Sequence, residues 1–283
     1  MKNKTCKICF NKKVIFVGER EGVNLVRCDT CKTIFQNPIP SENDLKNFYN
    51  SIYKKEGISY STEKAFESFD PKQEAGRLKA IKRYKKGGRL LDVGASSGFF
   101  LKSLKHDKKW KLDGVEYSLA AVRKAKENGV SVIHGDISSS LVKRNFYDVI
   151  TMHSVLEHVP NPHEYVAQVH DRLNEHGIFV VSVPNIASVE YGIYKLLNKN
   201  FPGFIREHIF YYTPYSFRLL LEMNNFTVLR ITSRHYSTLY LPPMRPLMGW
   251  LTFLPKLILE YTDVGGKFKK GNILYAYAKK NNE

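Results

Sequence analysis

Acidic residues are in short supply in this 283-residue chain: 27 aspartates and glutamates face 44 lysines and arginines, a net charge of +17. Such a field favours an acidic or polyanionic partner. Cysteine is absent beyond residue 31, so thiol chemistry is confined to a small N-terminal module. No apolar run reaches the roughly 20 residues of a membrane-crossing helix. Met1 to Cys6 carries charge with no apolar run after it, so no secretory signal is read and a cytoplasmic location is expected. No G-x-G-x-x-G joins a strand to a helix, so a pyrophosphate on a helix N-terminus is not the obvious guest. The 43% hydrophobic content is ample for one full α/β domain with an appendage.

The four cysteines form two knuckles, Cys6-x-x-Cys9 and Cys28-x-x-Cys31, eighteen residues apart. This spacing suits one tetrahedral zinc. Four thiolates close the coordination shell, so the metal is expected to staple a module too small for its own core. Val14–Val17 and Val23–Arg27 suit a hairpin between the knuckles, which makes residues 1–38 a zinc ribbon.

The next informative stretch is Leu90-Leu91-Asp92-Val93-Gly94-Ala95-Ser96-Ser97-Gly98-Phe99, a buried strand entering a glycine-bearing turn and a helix. Gly94 permits backbone angles closed to other residues, Gly98 lets the helix pack closely, and Ser96 and Ser97 are expected to cap it. About 20 residues on, a second strand ends in Glu116-Tyr117, where a carboxylate is placed to accept two hydrogen bonds from a ribose diol. A third, Val130–His134, leads to Gly135-Asp136-Ile137.

Asp92, Gly94 and Gly98 match D-x-G-x-x-x-G, and on these residues the chain resembles the class I S-adenosylmethionine (SAM)-dependent methyltransferases. The resemblance implies an α/β, Rossmann-like, seven-stranded methyltransferase sheet with helices on both faces, preceded here by the small ribbon. It implies a SAM site at Asp92, Gly94, Ala95, Ser96, Gly98, Glu116, Tyr117, Asp136, Ile137 and His153, with Asp136 near the adenine amino group and Ile137 against the ring. The segment Leu156-Glu157-His158-Val159, after a fourth strand Tyr147–Met152, is similar to the branch holding ubiquinone-biosynthesis O-methyltransferases and relatives in cell-surface glycan pathways. Some of those relatives use a divalent ion near this Glu-His; the sequence offers no evident ligand set for one. The Asn/Asp-Pro-Pro-aromatic turn of nucleobase amino-group methylases is absent.

If the acceptor is a hydroxyl, a general base assists, and histidine suits that task near neutral pH. His158 is one candidate. His208, in Arg206-Glu207-His208, is the other, because a similar R/K-E-H pattern approaches the active site in this branch.

Residues 39–86 are expected to form a helical lid or linker, beginning at a Ser41/Asp44 cap with a helix through about Lys54. It continues through an aromatic stretch, Tyr49, Tyr53, Tyr60, Phe66 and Phe69, to a basic helix over Glu74–Lys86. Residues 87–283 form the methyltransferase domain. Its later helices are expected at Asn161–Asn174 and Tyr215–Asn224, and its last strands at Gly177–Val183, Phe226–Thr232 and Ile273–Ala278. An apolar insertion spans about 235–270. Four prolines, Arg245 and Lys256 interrupt residues 239–259, which suit a pocket wall, a dimer surface or peripheral contact with the inner face of a membrane.

The expected function is SAM-dependent methylation of a small or lipid-linked acceptor, a sugar of surface polysaccharide or glycolipid synthesis. The alternatives are an RNA methyltransferase and a non-catalytic SAM-binding scaffold. Lysines spread through helices, rather than gathered in one tract, weigh against RNA.

Overall fold

The computed structural model describes residues 5–41, 43–45, 71–234 and 269–282. The aromatic stretch from Tyr49 to Phe69, the helix toward Lys54 and the 239–259 segment lie outside them. In chain order the elements are β1 (Val14–Arg20), β2 (Val23–Cys28), β3 (Ile34–Gln36), α1 (Pro71–Ile81), β4 (Gly88–Val93), α2 (Phe99–Leu104), β5 (Trp110–Glu116), α3 (Leu119–Glu127), β6 (Ile133–His134) and β7 (Tyr147–His153). A 3-10 turn (Leu156–His158) then leads to α4 (Pro162–Arg172), β8 (Leu173–Pro184), α5 (Val189–Leu196), β9 (Phe210–Tyr211), α6 (Pro214–Glu222), β10 (Phe226–Arg234) and β11 (Ile273–Lys280).

Local chemistry accounts for most boundaries. Glu21 and Gly22 have φ of 51° and 76°, the left-handed pair that a two-residue hairpin turn needs between β1 and β2. Ser41 and Asp44 cap reciprocally, each side chain accepting the other's backbone N–H. Thr213 and Ser216 form a capping box with Pro214 in the first turn of α6.

Several expectations are corrected. A strand absent from the expectations, β3 at residues 34–36, pairs with β2 on one side and β9 on the other. The β9 partner lies far along the chain, where no local pattern announces it. The third strand shrinks from five residues to Ile133–His134, and β8 begins at Leu173 rather than Gly177. The basic helix runs over 71–81, not 74–86. A helix absent from the expectations, α5, is capped by Ser188, whose side chain accepts from Tyr191 N–H.

A seven-stranded sheet has the order β6-β5-β4-β7-β8-β11-β10. Counted from its own first strand this is 3-2-1-4-5-7-6. Strands β4, β5, β6 and β7 are parallel. The chain divides into two compact units. One comprises 40–155, 164–180 and 279–283 and holds the parallel strands; Leu90, Leu91, Val149 and Ile150 are fully buried at its centre. Strands covered on both faces explain these unbroken apolar runs.

The other unit comprises 1–39, 156–163 and 181–278 and contains a four-stranded sheet, β1-β2-β3-β9. Leu25, Ile34, Ile186 and Tyr211 form a core cluster there. His163 ties the cysteine module into this unit: Nε2 bonds the Ile8 carbonyl at 2.9 Å, and the ring stacks on Phe10 at 4.9 Å.

Candidate active site and cysteine centre

The parallel sheet changes direction of winding between β4 and β7, and in open α/β sheets ligands bind beyond the C-terminal ends of the strands at such a switch point. The turn after β4 is tightly determined. Gly94, Ser96 and Gly98 all have positive φ, 72°, 50° and 75°. A Cβ on Gly94 would stand 2.3 Å from Val155 Cγ2, and one on Gly98 2.3 Å from Val130 Cγ2. Gly98 is the N-cap of α2 and no side chain caps that helix, so Ser96 and Ser97 do not serve as the expected caps. The left-handed glycine makes the entry by backbone conformation instead.

Two acids organise this turn. Asp92 is 5% exposed and accepts a 2.6 Å hydrogen bond from the Thr151 hydroxyl. Burial pushes its carboxyl up to about 7, against the opposing pull of Thr151. Glu116 receives Ser96 N–H at 2.9 Å and Ser118 N–H at 2.8 Å, one on each carboxylate oxygen. Burial raises it, and these backbone donors oppose the rise. Each oxygen retains lone-pair capacity for a ligand hydroxyl.

Among the other expected donor-site residues, Ala95 is buried, Tyr117 is exposed just past β5, and Asp136 holds Ser138 in a local turn. Ile137 is fully buried. His153, at the end of β7, contacts Phe100 edge-on at 6.1 Å. Thr151, which positions Asp92, was not visible as a functional residue in the sequence.

In the unit containing the cysteine module, His158 and His208 come together with ring centroids 4.8 Å apart. His158 Nδ1 donates to the Glu207 carbonyl at 2.9 Å, so Nε2 is the proton-accepting nitrogen. Desolvation lowers His158 to about 4 and holds His208 well below the usual histidine range, with His158 adding to the depression of His208. Glu157 is 1% exposed, and burial pushes its carboxyl up to about 8. Neither Glu157 oxygen, nor His208 Nδ1, has a hydrogen-bond partner among the described residues. One ligand atom from each of Glu157, His158 and His208 lies within 4.8 Å of the others, a set able to hold a cation. Such a concentration of unmatched polar atoms costs stability unless a ligand or proton serves them.

The His208 segment is held from the cysteine side. The Gln36 side-chain amide donates to the carbonyls of Arg206 at 2.7 Å and His208 at 3.0 Å, and Gln36 N–H donates to Ile209 O. Thr213 Oγ1 donates to Cys31 O. These contacts join residues some 170 positions apart, which local sequence cannot reveal.

The four cysteines converge. Cys6 Sγ lies 3.7 Å from Cys31 Sγ and Cys9 Sγ 3.4 Å from Cys28 Sγ, all four within 4.8 Å. Tetrahedral thiolates on arms of about 2.3 Å stand roughly 3.8 Å apart, so the set is compatible with a zinc ribbon. The two knuckles are built alike: Phe10 N–H returns to Cys6 O and Lys32 N–H to Cys28 O, and Phe10 and Lys32 are both left-handed.

Comparison with known proteins agrees with the geometry. Among solved structures, a SAM-dependent methyltransferase of Archaeoglobus fulgidus aligns with TM-score 0.56 and 18% identity over 78% of this chain and all of that one. One from Thermotoga maritima aligns with TM-score 0.52 and 17% identity over 83% and 96%. A protein of Pyrococcus horikoshii gives 0.54 and 15% over 82% and 99%. The fold is therefore the Rossmann-like one of SAM-dependent methyltransferases. A family model described as a methyltransferase domain matches residues 67–231, more than half of the chain. The chain belongs to this methyltransferase family, and its activity is SAM-dependent methyl transfer. No curated protein matches the sequence.

Proposed function

We propose that this methyltransferase acts on a sugar carried on a nucleotide or a lipid phosphate, as in surface polysaccharide or glycolipid synthesis. His158 and His208 take up the acceptor's proton. The observation that carries the acceptor chemistry is the Glu157–His158–His208 cluster with its unmatched polar atoms. The acidic acceptor is supported by the net charge of +17, and the sugar by resemblance to the glycan-pathway branch.

SAM, when bound, supplies a methyl group already activated by its sulfonium. The protein therefore has to align the nucleophile and exclude water. Glu116 is assigned the ribose hydroxyls, Asp92 the cationic end of the donor, and Asp136 with Ile137 and Tyr117 the adenine. The turn at Gly94–Gly98 lets backbone approach the ligand closely. As the acceptor oxygen attacks, its proton passes to an imidazole nitrogen of the His158/His208 pair. The Cys6, Cys9, Cys28 and Cys31 set would hold a structural Zn2+, coordinatively closed and with no step in the reaction. The acceptor is met in the cytoplasm.

The test is methyl transfer from isotopically labelled SAM to a panel of nucleotide- and lipid-phosphate-linked sugars. His208→Ala should lower kcat by about 10²–10⁴ while SAM affinity stays within about twofold. Glu116→Ala should abolish SAM uptake in calorimetry; unchanged affinity would remove the donor-site assignment. A second reading of the histidine cluster rests on its donor set, since two imidazoles and a carboxylate suit a zinc-like cation. Activity that disappears on dialysis against a chelator and returns with a divalent ion, in protein whose cysteine-bound metal is retained, would favour it.

A further inference from the structure

Within the unit that holds the cysteine module, a cleft of about 180 Å³ opens between β1 and the segment that follows α5. Tyr191, Phe201 and Phe204 line it together with Arg20, Lys195 and Lys199. The three rings pack edge to face, with centroids 5.4 to 5.7 Å apart. The opposite wall is made by a β-bulge: the β1–β2 register shifts between Phe16 and Gly18, and Gly18 has φ of 150°. Bulges of this kind re-aim an edge strand and recur beside functional sites.

Cations outnumber acids along the cleft. Arg20 forms an ion pair with Glu21, Nε to Oε1 at 3.8 Å, and its buried Nε makes no hydrogen bond among the described residues. Arg27 Nε is likewise buried and unpartnered. Arg27 stands close enough to Tyr191 that its charge opposes the rise that burial imposes on the phenol. Glu19 is the acid among the lining residues, against Arg20, Lys195 and Lys199. Apolar ring faces beside a net surplus of guanidinium and ammonium groups are complementary to a molecule with a C–H-rich ring and an anionic substituent. The volume is below the few hundred Å³ typical of larger ligands, which suits one ring and its phosphate rather than a polymer.

Ring contacts continue from this cleft to the histidine pair. Phe204 packs on Tyr211 at 4.8 Å, Tyr211 on His208 at 5.6 Å, and His208 on His158 at 4.8 Å. The cleft thus stands two ring contacts from His208, at the distance of a remote part of an extended acceptor. Binding energy gathered there can be spent on aligning the reacting hydroxyl.

We propose that this cleft is a sugar-phosphate subsite, with the ring packed on Phe201 and Phe204 and the phosphate held by Arg20, Lys195 and Lys199. It rests on the glycosyl-acceptor reading above and adds the site that recognises the acceptor. The experiment is calorimetric titration of the full chain with the 1-phosphates of glucose, galactose, mannose and N-acetylglucosamine, beside inorganic phosphate and methyl glucoside. At least one sugar phosphate should bind about tenfold or more tightly than either control. The double variant Lys195→Glu/Lys199→Glu should weaken that binding at least about tenfold, and Phe201→Ala about fivefold, with SAM affinity unchanged.

Absence of saturable binding by every sugar phosphate overturns the proposal, as does equal affinity for inorganic phosphate. A short RNA that displaces the sugar phosphate at equal molar concentration also overturns it. Binding lost in these variants, but with no methyl transfer to any glycosyl acceptor, supports the cleft and overturns the acceptor reading. Transfer to a glycosyl acceptor with KM unchanged in the double variant overturns the cleft alone.

Discussion

Asp92 is under two opposed demands. With its carboxyl raised from the ordinary 3.8 to about 7, the folded chain holds a proton that the unfolded chain releases. Stability is then free of penalty below pH 3.8 and falls as pH rises toward 7. Above that it carries a constant cost, at most about 4 kcal/mol for a shift of this size. A cationic ligand beside Asp92 reverses the preference, because it favours the ionised form. SAM affinity measured by calorimetry should therefore rise with pH up to about 7 and then level off. Asp92→Asn keeps an acceptor for Thr151, so melting temperatures of this variant should exceed those of the parent at pH 8 and match them at pH 4. Its SAM affinity should be low and independent of pH. Asp92 and Glu116 were legible as candidate site residues because each stands near the C-terminal end of an apolar strand. Their partners were not: Thr151 and the backbone N–H groups of Ser96 and Ser118 act through a register that only paired strands create.

At the scale of elements, the turn before α2 and the strand β3 carry the sharpest expectations. Gly98→Ala places a methyl 2.3 Å from Val130 at φ of 75°, so it should lower the melting temperature and weaken SAM binding by more than about tenfold, the strain being of order 1–3 kcal/mol. Gly192→Ala is the contrasting substitution. It lies within α5 with nothing near its Cβ, and it should stabilise the protein by about 0.5–1 kcal/mol in denaturant melts. Gln36→Ala removes two hydrogen bonds to the Arg206–His208 carbonyls, at a cost of about 1–3 kcal/mol. Its imprint should appear as shifted His208 ring resonances in NMR spectra while the thiol reactivity of Cys6, Cys9, Cys28 and Cys31 stays unchanged. The hairpin β1–β2 was readable from its two apolar stretches between the cysteine knuckles. β3 and β9 were not, since a three-residue and a two-residue strand have no periodicity of their own.

For the whole molecule, the surplus of 17 positive charges raises the question of nucleic acid. Phosphate contacts predict a steep fall of affinity with salt, with a slope of about −0.7 per neutralised phosphate for single strands. RNA retention measured by filter binding across a salt series should give a shallow slope, equivalent to about two contacts or fewer. A slope equivalent to six or more would favour the RNA reading. No helix among the described residues is long and apolar enough to cross a membrane.

Local sequence sets the α/β alternation, the acids near the C-terminal ends of β4 and β5, the glycine turn after β4 and the two cysteine knuckles. Each is a local pattern in which residue type, spacing and backbone geometry act over a few positions. Strand pairing across long stretches of chain sets the rest: β3 and β9 share a sheet, Gln36 holds the His208 segment, and Glu157, His158 and His208 meet. Burial then set their protonation, because the desolvation that pushes Glu157 up to about 8 and His158 down to about 4 belongs to the packed environment and not to either residue.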